Sequence, residues 1–155
     1  MGLAEIERAL ARLYVDVSLR NRLAGDPASV GAEFRLTVPE TQRLSSIPSR
    51  QLEQFAESLL RKRASQVSRI VPMTACALGA RYSKWFERYA TAAPPRGSRA
   101  DVGDAVGFVD ALVRFGPEVE PPWAADLARY ELAWFRFAQS RQWLAVQAFD
   151  YPVLR

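Results

Sequence analysis

Residues 49–72, SRQLEQFAESLLRKRASQVSRIVP, decide the fold. Their apolar residues recur at intervals of three and four positions, which is the spacing of one face of an α-helix. Pro72 lacks a backbone donor and clashes with the preceding turn, so it ends or kinks that helix. The pattern predicts a long amphipathic helix over residues 49–71. Its inward face carries Leu52, Phe55, Ala56, Leu59, Leu60, Val67 and Ile70.

The same spacing continues on both sides of this helix, where capping residues and prolines mark the helix starts. Asp26 precedes Pro27, and Thr37 or Val38 precedes Pro39. Residues 73–95 predict one helix or a pair broken at Gly79, and the charged, glycine-rich stretch 96–104 predicts the main surface loop. Further helices are predicted over residues 3–14, 18–24, 101–115 and 123–142.

These elements predict an all-α fold, a single compact domain of about six to eight helices with a short extended C-terminal tail. Three segments are expected within it. Residues 1–47 form short helices packed on the main body, residues 48–142 form the principal helical domain, and residues 143–155 form the tail. The tail is extended because Pro152 restricts Tyr151 to extended backbone and because aromatic and β-branched residues become frequent.

Composition excludes several functional classes. The chain has 155 residues, one cysteine and no histidine, so an internal disulfide, a Ser-His-Asp triad and the usual histidine-containing metal sets cannot be built from this chain alone. We therefore expect no catalytic residues and no metal site. Charged residues near the start argue against a signal peptide, and no apolar run is long enough to span a bilayer, which predicts a cytoplasmic protein.

The long helix also carries a cationic cluster. Arg63 falls on its inward face, whereas Arg61, Lys62 and Arg69 point progressively outward. A buried arginine requires an acidic partner, and Glu131 lies on the apolar stripe of the last helix. The spacing therefore predicts a structural Arg63–Glu131 pair, and it leaves the three outward cations for an anionic surface.

Two binding interpretations use these cations. Net charge is +4, which permits an anionic partner without identifying one. Aromatic residues alternate with further cations after residue 80, as single-stranded nucleic acid binding requires, although the same spacing is typical of a helical core. The residues that a nucleic-acid interface would use are Arg61, Lys62, Arg63, Arg69, Arg81, Lys84, Arg88, Arg96 and Arg99, with Tyr82, Trp85 and Tyr89.

Aromatic residues crowd the last third of the chain, more than one helix can direct into one core. Some are therefore expected to be exposed, or covered by the tail or by a partner, and a strand in the tail could pair with an extended peptide. Combined with the cations, they give the predicted partner- or peptide-binding residues: Arg61, Lys62, Arg69, Arg81, Tyr82, Trp85, Arg88, Trp143, Phe149 and Tyr151.

The order of segments resembles a known family. VSRIVPMTACALGARYSKWFERYATAAPP, then DAVGFVDAL, then PPWAADLARYELAWFRF are similar to the N-terminal helical domain of the HvfC-like family, also labelled a DNA-binding domain. The resemblance covers about residues 50–140, and PPWAADLARYELAW is its most specific part. FDYPVLR resembles only the beginning of the second domain that normally follows in that family.

The resemblance implies a function. Members are commonly partners of MbnB-like multinuclear non-haem iron oxygenases, which modify cysteine residues of ribosomally made peptides. It implies a non-catalytic, MbnC-like adaptor subunit that assists precursor-peptide binding in peptide natural-product biosynthesis, with the iron on the partner enzyme and no cofactor in this chain. The alternative is a DNA-binding or regulatory helical module that uses the same arginine and lysine residues.

Overall fold

A computed structural model of the chain describes residues 3–92, 100–140 and 146–152. All regular secondary structure in these ranges is helical, which confirms the predicted all-α class. Short 3-10 turns cover Gly79–Arg81 and Gly116–Glu118. The α-helices are α1 (Leu3–Leu13), α2 (Val17–Gly25), α3 (Pro27–Phe34), α4 (Val38–Ser45), α5 (Ser49–Ile70), α6 (Pro72–Leu78), α7 (Tyr82–Ala92), α8 (Ala100–Phe115) and α9 (Ala124–Gln139).

The chain forms two compact units, Met1–Leu60 and Arg61–Arg155, so the division falls within α5. The predicted segments 1–47, 48–142 and 143–155 stay predictions of domain organisation. No helix in the described ranges has both the length and the apolar character that crossing a bilayer requires.

The first unit is built from short capped helices. The carboxylate of Asp16 accepts a hydrogen bond from the Leu19 amide at 3.0 Å, and that bond lowers the pKa of Asp16. Asp26 caps α3 in the same way, with Pro27 in the first turn as predicted. The core of this unit contains Ala9, Leu13, Leu19, Leu23, Val30, Phe34, Leu44 and Leu52.

The second unit packs α6 and α8 against α9, and α7 against α8. Four aromatic rings from α7 and α8 lie at its centre, with neighbouring centroids 5.5 to 6.3 Å apart. Aromatic rings at this separation stabilise a core beyond the area they bury. They belong to Tyr82, Phe86, Tyr89 and Phe108.

Two helix boundaries show how the predicted pattern is realised. Gly79 has a φ of 55°, a left-handed conformation that ends α6, so residues 73–92 form two helices separated by a 3-10 turn. α8 begins at Ala100, which confirms the predicted helix over residues 101–115 and shortens the predicted surface loop over residues 96–104 at its C-terminal end. Residues 146–152 contain no helix or strand, and the chain bends at Asp150 and Tyr151, so this part of the tail is irregular.

Candidate functional site

A buried ion pair connects α5 to α8. The Arg63 side chain is nearly inaccessible, and its Nε and Nη2 atoms each donate to one carboxylate oxygen of Asp104 at 2.8 Å. The Tyr89 hydroxyl of α7 donates to the same carboxylate at 3.1 Å. Beneath the guanidinium, the Phe86 ring centroid lies 5.9 Å away. This fork geometry fixes Arg63 in the core, so it is a structural residue of the unit.

The predicted Arg63–Glu131 pair is wrong, although both side chains are buried as predicted. Glu131 accepts hydrogen bonds from the backbone amides of Met73 and Thr74, both at 2.7 Å, and from the Thr74 hydroxyl at 2.6 Å. Pro72 occupies the first position of α6 and has no N–H, so these two amides are the first free donors of that helix. Glu131 thus caps α6 from a different helix.

Gly107 lies on α8 one turn after Asp104 and leaves room for Tyr89. A Cβ atom at Gly107 would lie 2.6 Å from the Tyr89 hydroxyl oxygen, whereas a Cβ at Gly103 would meet nothing within 4 Å. We expect Gly107→Ala to lower the free energy of unfolding by about 1 to 3 kcal/mol. Gly103→Ala is the matched control in the same helix and is expected to raise it by about 0.5 to 1 kcal/mol. Chemical denaturation measures both, and equal effects would contradict the close approach.

Burial and the negative charge of Asp104 raise the pKa of Tyr89 to about 12, from an ordinary value of 10.0. Between pH 10 and about 12, the Tyr89 hydroxyl of the folded chain therefore keeps a proton that the unfolded chain releases. This contribution to stability is complete below pH 10 and is lost as the pH rises through about 12.

The Tyr89→Phe variant tests this alkaline dependence. It is expected to be less stable than the unchanged chain at neutral pH, because Asp104 loses a donor, but its stability should fall less steeply between pH 10 and 12. The difference in slope corresponds to up to about one proton per molecule. Urea unfolding across that pH range measures it, and identical slopes would argue against the raised pKa.

Three of the predicted binding cations lie exposed on α5. They are Arg61, Lys62 and Arg69, and none forms an ion pair within the part of the chain that the structure describes. An exposed guanidinium or ammonium without an acidic neighbour is available for an external anion. The structure therefore places these three as the sequence predicted, on the solvent side of the helix that buries Arg63.

Of the predicted cations of the next segment, Arg81 and Arg88 have acidic neighbours, whereas Lys84 is exposed and forms no ion pair within the described ranges. Arg81 pairs with Glu120 and Arg88 with Glu118, each with a nitrogen–oxygen distance of 2.6 Å. The hydrogen bond from Arg88 lowers the pKa of Glu118. The Arg88 guanidinium also lies 4.2 Å from the centroid of the Phe115 ring. These exposed pairs contribute little to stability, but they reduce the positive charge that α7 presents.

The aromatic residues of α7 face inward. Tyr82 is buried, its hydroxyl donates to the Ala64 carbonyl at 2.7 Å, and burial raises its pKa. Trp85 is half-buried against Phe115, with the ring centroids 5.2 Å apart. Tyr82 and Tyr89 thus form core, not a platform on which bases could stack.

The tail contacts α9 through a buried carboxylate. Asp126 Oδ2 accepts hydrogen bonds from the backbone amides of Asp150 at 2.7 Å and Tyr151 at 2.9 Å. Arg129 donates to Asp126 Oδ1 at 3.0 Å. Phe149 is half-buried and Tyr151 is exposed. Trp143, Arg96 and Arg99 lie outside the described residues.

No group of three or more potential metal ligands of the Cys, Asp, Glu and His types occurs in the described ranges. Cys76, in α6, is exposed. Sequence reasoning missed Asp104 as a partner of Arg63 and Asp126 as the anchor of the tail. Each carboxylate forms a salt bridge, Asp104 with Arg63 and Asp126 with Arg129.

Comparison with models of known protein families gives a match for part of the chain. Residues 47–114 match the family model described as SCO6045-like, C-terminal domain. The matched region runs from just before α5 into the last turn of α8, so it contains Arg63, Tyr89 and Asp104. No curated protein matches the chain. No solved structure matches it either.

Proposed function

We propose that this chain is a non-catalytic partner subunit that binds an acidic segment of another protein or peptide on the exposed face of α5. The observation that carries the proposal is that three exposed cations without an ion pair in the described ranges lie together on α5. The other exposed cations of this kind in the second unit lie singly on α7, α8 and α9, and they are Lys84, Arg114 and Arg136. Arg81 and Arg88 have acidic neighbours, and Arg63 is in the core. Arg61, Lys62 and Arg69 remain exposed without an ion pair in the described ranges.

The spacing of these cations limits the ligand. Lys62 and Arg69 are seven residues apart, so they lie on one side of α5 about 10 Å from each other along its axis. That distance matches two acidic side chains three residues apart in an extended peptide. It also matches two acids seven residues apart on a helix. Arg61 extends the charged face by about 100° around the helix.

Charge alone does not provide tight binding. An exposed ion pair is worth about 0.2 to 1 kcal/mol and is weakened by salt, so three such pairs account for weak association and for fast encounter. Affinity must come from apolar contact. In the same unit Trp134 is 63 % exposed and stacks on Phe137, with centroids 6.2 Å apart. This aromatic pair is a candidate anchor for the same partner.

The resemblance to the HvfC-like family supplies the identity of the partner in this proposal. An MbnB-like multinuclear iron oxygenase would hold the metal, and its acidic precursor peptide would contact α5. A DNA-binding or regulatory role stays the alternative. The burial of Tyr82 and Tyr89 argues against base stacking on α7, and thus favours the protein or peptide partner.

Co-expression with an MbnB-like oxygenase and its precursor peptide tests the proposal. We expect a stable complex that survives affinity purification and dissociates more readily as salt is added. The triple variant Arg61→Ala, Lys62→Ala and Arg69→Ala should weaken binding of the precursor peptide about tenfold or more. A free, uncomplexed chain under matched expression would contradict the proposal.

A charge-matched variant is the control. Arg8→Ala, Arg43→Ala and Lys84→Ala remove the same number of exposed cations, and all three lie outside α5. If both triple variants lose affinity equally, the effect is one of net charge and the α5 site is wrong. Salt titration with a random DNA duplex provides the last comparison. If the chain bound the duplex with useful affinity and a steep salt dependence, nucleic acid would be the better-supported partner.

A further inference from the structure

We propose that α9 carries a second peptide-binding site, built from Asp126, Arg129 and Tyr130, and that the chain's own residues 146–152 occupy it. The site recognises a segment that has an aromatic side chain followed by a bend, so that two successive backbone N–H groups point the same way. It uses none of the α5 cations, so it does not rest on the function proposed above.

The first observation is the buried carboxylate. Asp126 is 5 % exposed. Its Oδ2 atom accepts hydrogen bonds from the backbone N–H groups of two successive residues, Asp150 and Tyr151. Arg129 holds the other oxygen. A buried carboxylate is costly unless donors surround it, so the site favours a bound segment that supplies two amides. Because amides are common to all residues except proline, this contact recognises backbone and not side chains.

The second observation is the aromatic contact. Phe149 lies 5.6 Å from the Arg129 guanidinium carbon and 6.2 Å from the Tyr130 ring centroid, in an edge-to-face arrangement. The same arginine therefore binds the carboxylate and covers the ring. The site therefore recognises an aromatic residue followed by two residues with free backbone N–H groups. In this chain these residues are Phe149, Asp150 and Tyr151.

The third observation is the exposure of the bound segment. Phe149 is its only half-buried residue, and Val146, Gln147, Ala148, Asp150, Tyr151 and Pro152 are exposed. The segment is held by one ring, by two backbone amides and by the Gln147 side-chain oxygen, which accepts from Arg129 Nη2 at 3.2 Å and Nε at 3.3 Å. These contacts are few enough for another peptide of the same pattern to displace it. The intact chain should bind such a peptide weakly, because its own segment competes at high effective concentration.

Peptide binding to the full-length chain tests the proposal. The probe is a fluorescein-labelled peptide of sequence VQAFDYP, which repeats residues 146–152. Phe149→Ala weakens the internal segment, so this variant should bind the probe at least about tenfold more tightly than the unchanged chain. Adding Asp126→Asn to that variant should reduce affinity about tenfold. Absence of binding to Phe149→Ala at millimolar probe would overturn the proposal.

Modified probes test the recognition without any change in α9. N-methylation of the probe amide that corresponds to Asp150 or to Tyr151 removes a donor and should weaken binding about tenfold or more. Methylation at the Ala148 position is the matched control, because that residue is exposed and its amide donates no hydrogen bond to a described residue. If all three methylated probes lost affinity equally, or if none lost affinity, Asp126 would not recognise the backbone N–H groups.

Discussion

Asp104→Ala is expected to lower the free energy of unfolding by about 3 to 5 kcal/mol, the largest effect of any single substitution considered for this chain. The Asp104 carboxylate accepts two hydrogen bonds at 2.8 Å from the Arg63 guanidinium and one from the Tyr89 hydroxyl. Alanine would leave a buried positive charge without this carboxylate, and the hydroxyl without its acceptor. Urea unfolding followed by circular dichroism measures the loss.

Two further variants show whether the loss comes from the buried pair. Asp110→Ala removes an exposed carboxylate from the same helix and should change stability by less than about 0.5 kcal/mol. Replacing Arg63 by Met, Asp104 by Leu and Tyr89 by Phe removes all three polar ends together. This triple variant is expected to be more stable than Asp104→Ala alone, because no charge is left buried. A triple variant that is less stable would contradict that explanation.

Glu131→Gln is expected to lower the free energy of unfolding by about 2 to 3 kcal/mol. The carboxylate accepts three hydrogen bonds at the start of α6, from the amides of Met73 and Thr74 and from the Thr74 hydroxyl. Glutamine has nearly the same shape, but its NH₂ group would face a backbone donor at one of these positions. The negative charge next to the helix N-terminus would also be lost.

The controls for Glu131 separate charge from hydrogen bonding. Glu87→Gln removes an exposed carboxylate from α7 and should be nearly neutral. Thr74→Val removes only the hydroxyl bond and should cost about 1 kcal/mol. Hydrogen exchange of the α6 amides locates the effect. If Glu131→Gln left their protection and the global stability unchanged, the capping role would be wrong.

The helices were largely predictable and the buried positions partly so, because each depends on spacing along one helix. Leu52, Val67 and Ile70 of the predicted inward face of α5 are buried, but Phe55 is 52 % exposed. The stripe of α5 places Arg63 inside, and the stripe of α9 passes through Glu131. Their actual partners, Asp104 for Arg63 and the first amides of α6 for Glu131, were not predictable, since they depend on how helices pack. A signal for Asp104 did exist. It precedes the buried Phe108 and Ala111 by four and seven residues, so it lies on the inward face of α8.

The binding surface was predictable only in part. Exposure of Arg61, Lys62 and Arg69 follows from helical phase, but the acids that neutralise Arg81 and Arg88 come from residues 118 and 120, in a turn whose position the helix pattern does not encode. The anchoring of the tail by Asp126 lay beyond sequence reasoning for another reason. Its donors are backbone amides, which every residue but proline possesses, so no side-chain pattern marks them.

The exposed thiol of Cys76 has a practical consequence. It is the single cysteine of the chain, and it lies in the short helix whose first turn Glu131 caps. A maleimide dye or a nitroxide will therefore attach at one known place without any engineered substitution. A reporter there can follow the opening of α6 in the Glu131 variant and the arrival of a partner in solution. The same thiol can join two molecules covalently in air, so purification requires a reductant.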